Sequence, residues 1–372
     1  LKNIILIALS IFIIFNDAHS APTISTVTGT VSDGESVDVT GLAFGVNPLT
    51  HEFIKDNIEA GTPGDVFAET SWSTTTDTTI AYSVRYSNEE SHSGNNSVVA
   101  KFENSVTQHY LSRISYSQGA IPHSTTMFVS FWLKPAIETT GEDSMQLKLW
   151  RMRPTADQVS SETQFAQSLW YDSNTPVWTT SGTGFRITST PATRAACTAF
   201  IQTVGEFPTI NAWSKMDYSI TKNSALGESD GGYKNWINQA LVLNESSCET
   251  HDATSEDWLY SVFGYEFSNG DATPYSALIY MDDIYIAYTP ARFVIGDNAD
   301  WESCTHREIQ DATAWTTTTG SFAVNTGSFE PGIAYLFAID DAGDASAGYA
   351  ITFGAGSSTS TGITISAGCT IN

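Results

Sequence analysis

No stretch of this chain sustains the 3.6-residue apolar period of a helix. What recurs instead is a short run rich in Thr, Ser, Val, Tyr, Phe and Trp, closed by a turn signal such as Asp33-Gly34. Within such runs apolar and polar residues alternate, as in Val37, Val39 and Gly41 of the segment SVDVTGL. Period two is the pattern of a half-buried strand, and many short strands punctuated by turns predict an all-β, antiparallel protein. Leu/Ala/Glu/Lys-rich periodic stretches, which would argue for helices, are missing.

The chain opens differently. Lys2 precedes an almost unbroken apolar run from Ile4 to Phe15, Asn16 and Asp17 end it, and Ala18-His19-Ser20 supplies small residues ahead of Ala21. These are the three parts of a secretory signal, and the run is too short to span a bilayer comfortably. Residues 1–20 are therefore expected to be a cleaved signal peptide and the remainder an extracellular protein with no membrane segment. Roughly 350 residues remain, more than one ordinary small core, which suggests two domains. The formal net charge of -25 is spread thinly along the chain. A basic face for nucleic acid is absent, whereas acidic loops suit calcium, which takes oxygen ligands. Four cysteines, Cys197, Cys248, Cys304 and Cys369, in an exported chain favour disulfides. Chain order suggests Cys197–Cys248 and Cys304–Cys369, with the two other pairings open.

Residues 22–46 hold Pro22, Ile24, Gly34, Val37, Val39, Gly41, Phe44 and Gly45. This spacing resembles the opening of an immunoglobulin-like IPT/TIG domain, but the segment is too short for a sandwich of about seven strands. The missing half resembles residues 291–354, from ARFVIGD to the closing hairpin around Gly343 and Asp344. One Ig-like domain, residues 22–46 plus 291–372, is thus expected to be split by an insert, residues 47–290. Such insertions are tolerated at sandwich loop tips whose ends lie close together. In the insert, SHSGNNSVVAKF (91–102), AWSKMDYSITKNSALGESDGGYKNWINQAL (212–241) and LIYMDDIYIAY (278–288) follow one another in the order seen in concanavalin A-like lectin/glucanase domains and jelly-roll carbohydrate-binding modules. The implied fold class is an antiparallel jelly-roll sandwich inserted into a smaller Ig-like β-sandwich.

Strand alternation sorts the side chains of this insert. In FVSFWLK (128–134), Val129, Phe131 and Leu133 suit the core, which leaves Trp132 and Lys134 opposite. In QLKLWRM (146–152), Leu147 and Leu149 suit the core, which leaves Gln146, Lys148 and Trp150 opposite, and in GFRIT (184–188) Arg186 points away from Phe185 and Ile187. Tryptophans stack on sugar rings while amides and cations orient hydroxyls, so Trp132, Lys134, Gln146, Lys148, Trp150 and Arg186 form the expected glycan site on a concave jelly-roll face. Lys148, Arg151 and Arg153 concentrate scarce cations, which would serve a carboxylated or sulfated polysaccharide equally as they would neutralise local acids. Asp282 alternates with Leu278, Tyr280, Ile284 and Ile286 and is expected to face inward with them. The jelly-roll resemblance implies that it holds a structural calcium, with Asp283 as the alternative ligand and Asp56, Glu59 and carbonyls near Asn95 contributing.

Catalytic signals are thin. The glucanase string Glu-x-Asp-x-x-Glu and a Gly-x-Ser-x-Gly elbow are both absent. A polysaccharide lyase needs only a group that neutralises a uronate carboxylate and a base for the C5 proton. Gln146, Lys148, Arg186, His109 and Tyr110 supply those residue types, although His109 equally fits a surface strand. The expectation is a secreted carbohydrate-binding protein, with a uronate-specific polysaccharide lyase or a structural adhesion protein as alternatives.

Overall fold

The structure is a computed structural model. It describes residues 20–354 apart from several internal stretches, of which 154–164, 179–207 and 251–259 are the longest. The described residues form three antiparallel sheets, and among them no helix is long and apolar enough to cross a membrane.

The first sheet joins the two ends of the chain. Its strands are β1 (Thr23–Gly29), β2 (Ser36–Leu42), β18 (Arg292–Gly296), β19 (Arg307–Trp315), β20 (Thr319–Ala323), β21 (Ile333–Ile339) and β22 (Tyr349–Thr352), in the order β1-β2-β20-β19-β18-β21-β22. The N-terminal strands pair directly with the C-terminal ones, β2 running from Ser36 opposite Ala323 to Thr40 opposite Thr319. Val37 and Val39 from one end of this path share a core with Phe293, Leu336 and Ile351 from the other, so the sheet wraps over itself as a sandwich. Gly41 is required where the wrap is tightest. A Cβ there would lie 1.9 Å from the Thr23 carbonyl oxygen and 2.7 Å from the Phe44 ring.

The intervening residues make a second, larger sandwich. One face is β3 (Glu52–Asp56), β5 (Arg85–Ser87), β6 (Ser97–Glu103), β8 (Thr126–Ile137), β12 (Ser214–Thr221), β13 (Gly231–Ile237), β14 (Ala240–Cys248) and β17 (Ser276–Ala287). Its order is β14-β13-β12-β8-β17-β6-β5, with β3 also on β17. The other face is β4 (Trp72–Thr76), β7 (Tyr110–Ser117), β9 (Ser144–Arg153), β10 (Phe165–Asp172), β11 (Val177–Trp178), β15 (Tyr260–Phe263) and β16 (Glu266–Ser268). Between them lies one apolar core in which Val129, Phe131 and Leu133 of β8 meet Ile114 of β7, Trp150 and Met152 of β9 and Phe263 of β15. The all-β, antiparallel jelly-roll class expected from strand periodicity is what the chain adopts.

Entry and exit of this larger unit lie side by side. Asn47 Nδ2 donates to the Ala291 carbonyl at 2.8 Å, and Thr289 Oγ1 donates to the Val46 carbonyl at 3.2 Å. A third apolar cluster seals the seam. Phe128, Tyr285 and Ala287, on the outer face of the larger sandwich, pack on Val294, Ile309, Phe337 and Ile339 of the smaller one. The Arg292 guanidinium lies 3.9 Å from the centre of the Phe128 ring, a cation–π contact strengthened by burial.

The cysteine expectation needs correction. Cys304 is a free, buried thiol, not half of a disulfide. Its Sγ donates to the carbonyls of Asn298 at 3.4 Å and Asp300 at 3.5 Å. Gly296 lets it sit this deep, since a Cβ at that glycine would come within 2.6 Å of the sulfur. Cys248 is disulfide-bonded, while Cys197 and Cys369 lie outside the described residues.

Candidate functional site

The site grows from the outer face of β8. Val129, Phe131 and Leu133 enter the core, so Ser130, Trp132 and Lys134 stand on the opposite side. Strand β17 runs beside β8 with Tyr280 opposite Lys134 and Asp282 opposite Trp132, and then the register slips before Tyr285 meets Ser130. One extra residue is accommodated there as a bulge, and Asp283 takes a left-handed φ of 48°. The bulge reverses the alternation: Ile279 and Met281 enter the core before it, Ile284 and Ile286 after it. Asp282 therefore does not face inward with Ile284 and Ile286, as simple alternation implies. It lies on the outer face with Trp132, yet is fully buried.

The loop between β5 and β6 covers it. Asp282 Oδ2 accepts the backbone N–H of His92 at 2.7 Å and of Ser93 at 3.2 Å, and Oδ1 accepts the N–H of Asp283 at 2.8 Å. Asp283 accepts from Ser93 Oγ at 2.8 Å and meets His92 Nδ1 at 3.0 Å. Burial, and then the Asp283 charge, push the Asp282 carboxyl up to about 8 against the pull of those amides. Burial acts the same way on Asp283, but the hydrogen bonds and charge of His92, aided by Lys215 and Ser93, hold it below the usual carboxylate range. Glu59 pins the far side of the loop by accepting the N–H groups of Asn95 and Asn96, each at 2.9 Å. Lys134 pairs with Glu90 at 2.6 Å, and the Tyr280 hydroxyl donates to Glu89 at 3.1 Å.

These bonds bear on how calcium would fit the acids on which it was expected. Both oxygens of Asp282 accept N–H donors, and those of Asp56 accept Ile58 N–H and Trp72 Nε1–H, each at 2.8 Å. Each oxygen of Asp282 and Asp56 is thus already engaged by an N–H donor, and these two acids do not present a cage of open oxygens.

Beside this loop a cleft of about 510 Å³ opens along the seam of the two sandwiches. Trp132, Trp213, Lys215, Asn238 and Gln239 form one wall and Glu302 to Thr305 the other. The His92 ring lies flat on Trp132, centroids 3.6 Å apart and planes 15° from parallel. Lys215 Nζ sits 5.1 Å from the centre of the same indole. Asn238 and Gln239 join β13 to β14 with φ of 47° and 74°, the two left-handed residues of a tight hairpin whose twist matches the strands. Asn238 Oδ1 accepts the Lys215 N–H at 2.9 Å, which ties that turn to the cleft floor. Trp132 Nε1 and Gln239 Oε1 have no hydrogen-bond partner among the described residues.

The expected glycan patch is only partly assembled. Trp132 and Lys134 share the outer face of β8, Trp132 in the cleft wall and Lys134 in its pair with Glu90. Trp150 is in the core, 1% exposed and stacked on Tyr218 with centroids 5.0 Å apart, so it is no part of an accessible patch. The cause is a second bulge. Gln167 pairs with Trp150 but Ser168 with Lys148, which leaves Leu149 unmatched and reverses the phase of β9. For Gln146, Lys148 and Tyr110 the backbone alone is described. The ladder aligns Tyr110 with Phe267 and Leu147, and Gln146 one step away with Ser268. His109 and Arg186 lie outside the described residues. Sequence reasoning missed Trp213, Lys215, Glu302, His92, His306 and Glu308. Only the Asn238-Gln239 pair between two apolar runs carried a local turn signal.

No protein-family model matches the sequence, and no curated protein matches it. Among solved structures the chain is similar to an endo-β-1,4-glucuronan lyase from the fungus Trichoderma reesei, at 14% identity and a TM-score of 0.40 over 64% of this chain and 96% of that one. It is similar to the cellulose-induced protein Cip1, at 16% and 0.39 over 63% and 97%. An alginate lyase in complex with alginate trisaccharide aligns at 11% and 0.36 over 64% and 98%. These are loose likenesses in fold.

Proposed function

We propose that this chain is an exported carbohydrate-binding protein that holds a glycan in the cleft between its two sandwiches. One observation carries the reading. The cleft wall combines a half-buried indole, Trp213, with the amides of Asn238 and Gln239 and the ammonium of Lys215. The C–H face of a sugar ring stacks on an indole while amides and a cation take its hydroxyls, so this lining suits a glycan. Lys215 and Glu302 place both charge signs at the cleft, so neutral and uronate glycans are both to be tried.

The test is a glycan array with the wild-type protein and Trp213→Ala, followed by titration of any hit. The expected result is retention of at least one polysaccharide, weakened about tenfold or more by the substitution, since losing one stacking partner removes on the order of 1–2 kcal/mol. Circular dichroism should show the variant still folded. No retained glycan, or a Trp213→Ala variant that binds as well as wild type, would refute cleft binding. Unsaturated uronate accumulating during incubation would instead make the protein a lyase.

A further inference from the structure

We propose that His92, His306 and Glu308 bind a divalent transition-metal ion of the zinc class across the seam of the two sandwiches, independently of what the cleft holds. The three come from different parts of the chain, His92 from the loop between β5 and β6, His306 from the connection entering β19, and Glu308 from β19 itself. Their ligand atoms nevertheless lie within 4.8 Å of one another. Ligands about 2.1 Å from a tetrahedral zinc ion are about 3.4 Å apart, so small side-chain rotations close the set.

Three features suit a metal rather than a chance cluster. The Nδ1 of His92 meets Asp283 Oδ2 at 3.0 Å while its ring lies on Trp132. That fixes the imidazole and leaves Nε2 open, the arrangement in which a carboxylate orients a metal-ligating histidine. Glu308 is 2% exposed, and a carboxylate that deep is kept only by pairing, hydrogen bonding or a metal; His306 Nε2 at 2.6 Å and the Ser328 N–H at 3.3 Å both meet its Oε1. It has been given room, because a Cβ at Gly327, whose φ is 52°, would fall 2.1 Å from Oε1. Finally, His306 Nε2 and Glu308 Oε1 are 2.6 Å apart, so two of the three ligand atoms already converge.

Two imidazoles and one carboxylate favour zinc and its transition-metal neighbours, whereas calcium and magnesium prefer all-oxygen sites. Three protein ligands leave a fourth position for water. The Cys304 thiol, two residues before His306, is committed to the Asn298 and Asp300 carbonyls and is not assigned as a ligand. By joining the loop to β19, the ion would fasten the larger sandwich to the smaller one.

The experiment uses the whole chelator-stripped chain, titrated with zinc by calorimetry and by histidine NMR. One equivalent should bind and raise the melting temperature. The ring signals of His92 and His306 should shift while those of the other histidines stay in place. His306→Ala should abolish binding, and Asp283→Asn, a positioning change, should weaken it about 10–100-fold. Cobalt in place of zinc should give d–d bands without a thiolate charge-transfer band, in wild type and in Cys304→Ala alike. The wild-type NMR titration decides the matter even if a variant fails to fold. No binding, shifts at other histidines, or a thiolate band lost in Cys304→Ala would each overturn the assignment.

Discussion

Replacing Trp150 separates a core role from a surface one and gives a magnitude that can be checked. The indole is 1% exposed, fills the space between the two faces of the larger sandwich beside Met152 and Phe263, and stacks on Tyr218 at 5.0 Å. Truncating such a ring to alanine costs about 3–5 kcal/mol, from lost burial and the cavity left behind. At about 2–4 °C per kcal/mol for a domain of this size, Trp150→Ala should melt roughly 6–20 °C below wild type. Trp150 Nε1 adds a second, opposing effect, because it is buried with no hydrogen-bond partner among the described residues. An unpaired buried donor costs about 1–3 kcal/mol. Trp150→Phe keeps most of the ring and removes that donor, so the smaller packing loss is offset and the variant should stay within about 1 kcal/mol of wild type. Urea unfolding followed by far-ultraviolet circular dichroism measures both, with an unchanged m-value as the sign that only stability moved. The placement of Trp150 in the core is wrong if the alanine variant unfolds within about 1 kcal/mol of wild type. If the phenylalanine variant is as damaged as the alanine variant, the orphaned donor carries no cost.

Three further outcomes follow from the seam and its surroundings. Phe128 sits in the cluster joining the sandwiches, beneath Arg292, so wild type should melt in one calorimetric transition and Phe128→Ala in two; two resolved transitions in wild type would show that the seam does not couple the units. Cys304 is 4% exposed, so native protein should resist alkylation there until it is unfolded, and rapid labelling of the native chain would contradict its burial. Calcium and a calcium chelator should leave the melting temperature unchanged; a rise of several degrees that Asp282→Ala removes would restore a calcium site, since a tight ligand in hundredfold excess over its Kd stabilises by about 2.7 kcal/mol.

The legible parts of this molecule are those where period two runs uninterrupted. In β8 the alternation of Val129, Phe131 and Leu133 with Ser130, Trp132 and Lys134 is visible in the sequence and is the arrangement the strand adopts. The pairing of β2 with β20 joins residues almost 300 apart in the chain, and only the two halves of one strand pattern hinted at it. The cleft was not legible because it belongs to no single element. Trp213 immediately precedes β12, Lys215 lies at its start, Gln239 is in a turn, and Glu302 lies in the 3-10 turn Trp301–Ser303 of the other sandwich. Nothing local marks such residues, since what unites them is the packing of Phe128 and Tyr285 on Ile309 and Phe337.

Alternation misled at two places, and both are bulges. In β9 the unmatched Leu149 carries Trp150 into the core. In β17 the extra residue near Asp283 does the reverse to Asp282, moving it out of the core and under the loop that carries His92. A bulge inserts one residue into a two-residue period, so every side chain beyond it changes face while the sequence pattern shows no break. The second bulge has chemical consequences. It sets two carboxylates side by side, and they are separable only because one takes backbone amides and the other takes the His92 ring. With regular alternation Asp282 would enter the core among Ile284 and Ile286, where a carboxylate has no partners and costs several kcal/mol. The bulge is thus what allows two adjacent acids in a buried strand, and through His92 it aims the larger sandwich's chemistry at the seam.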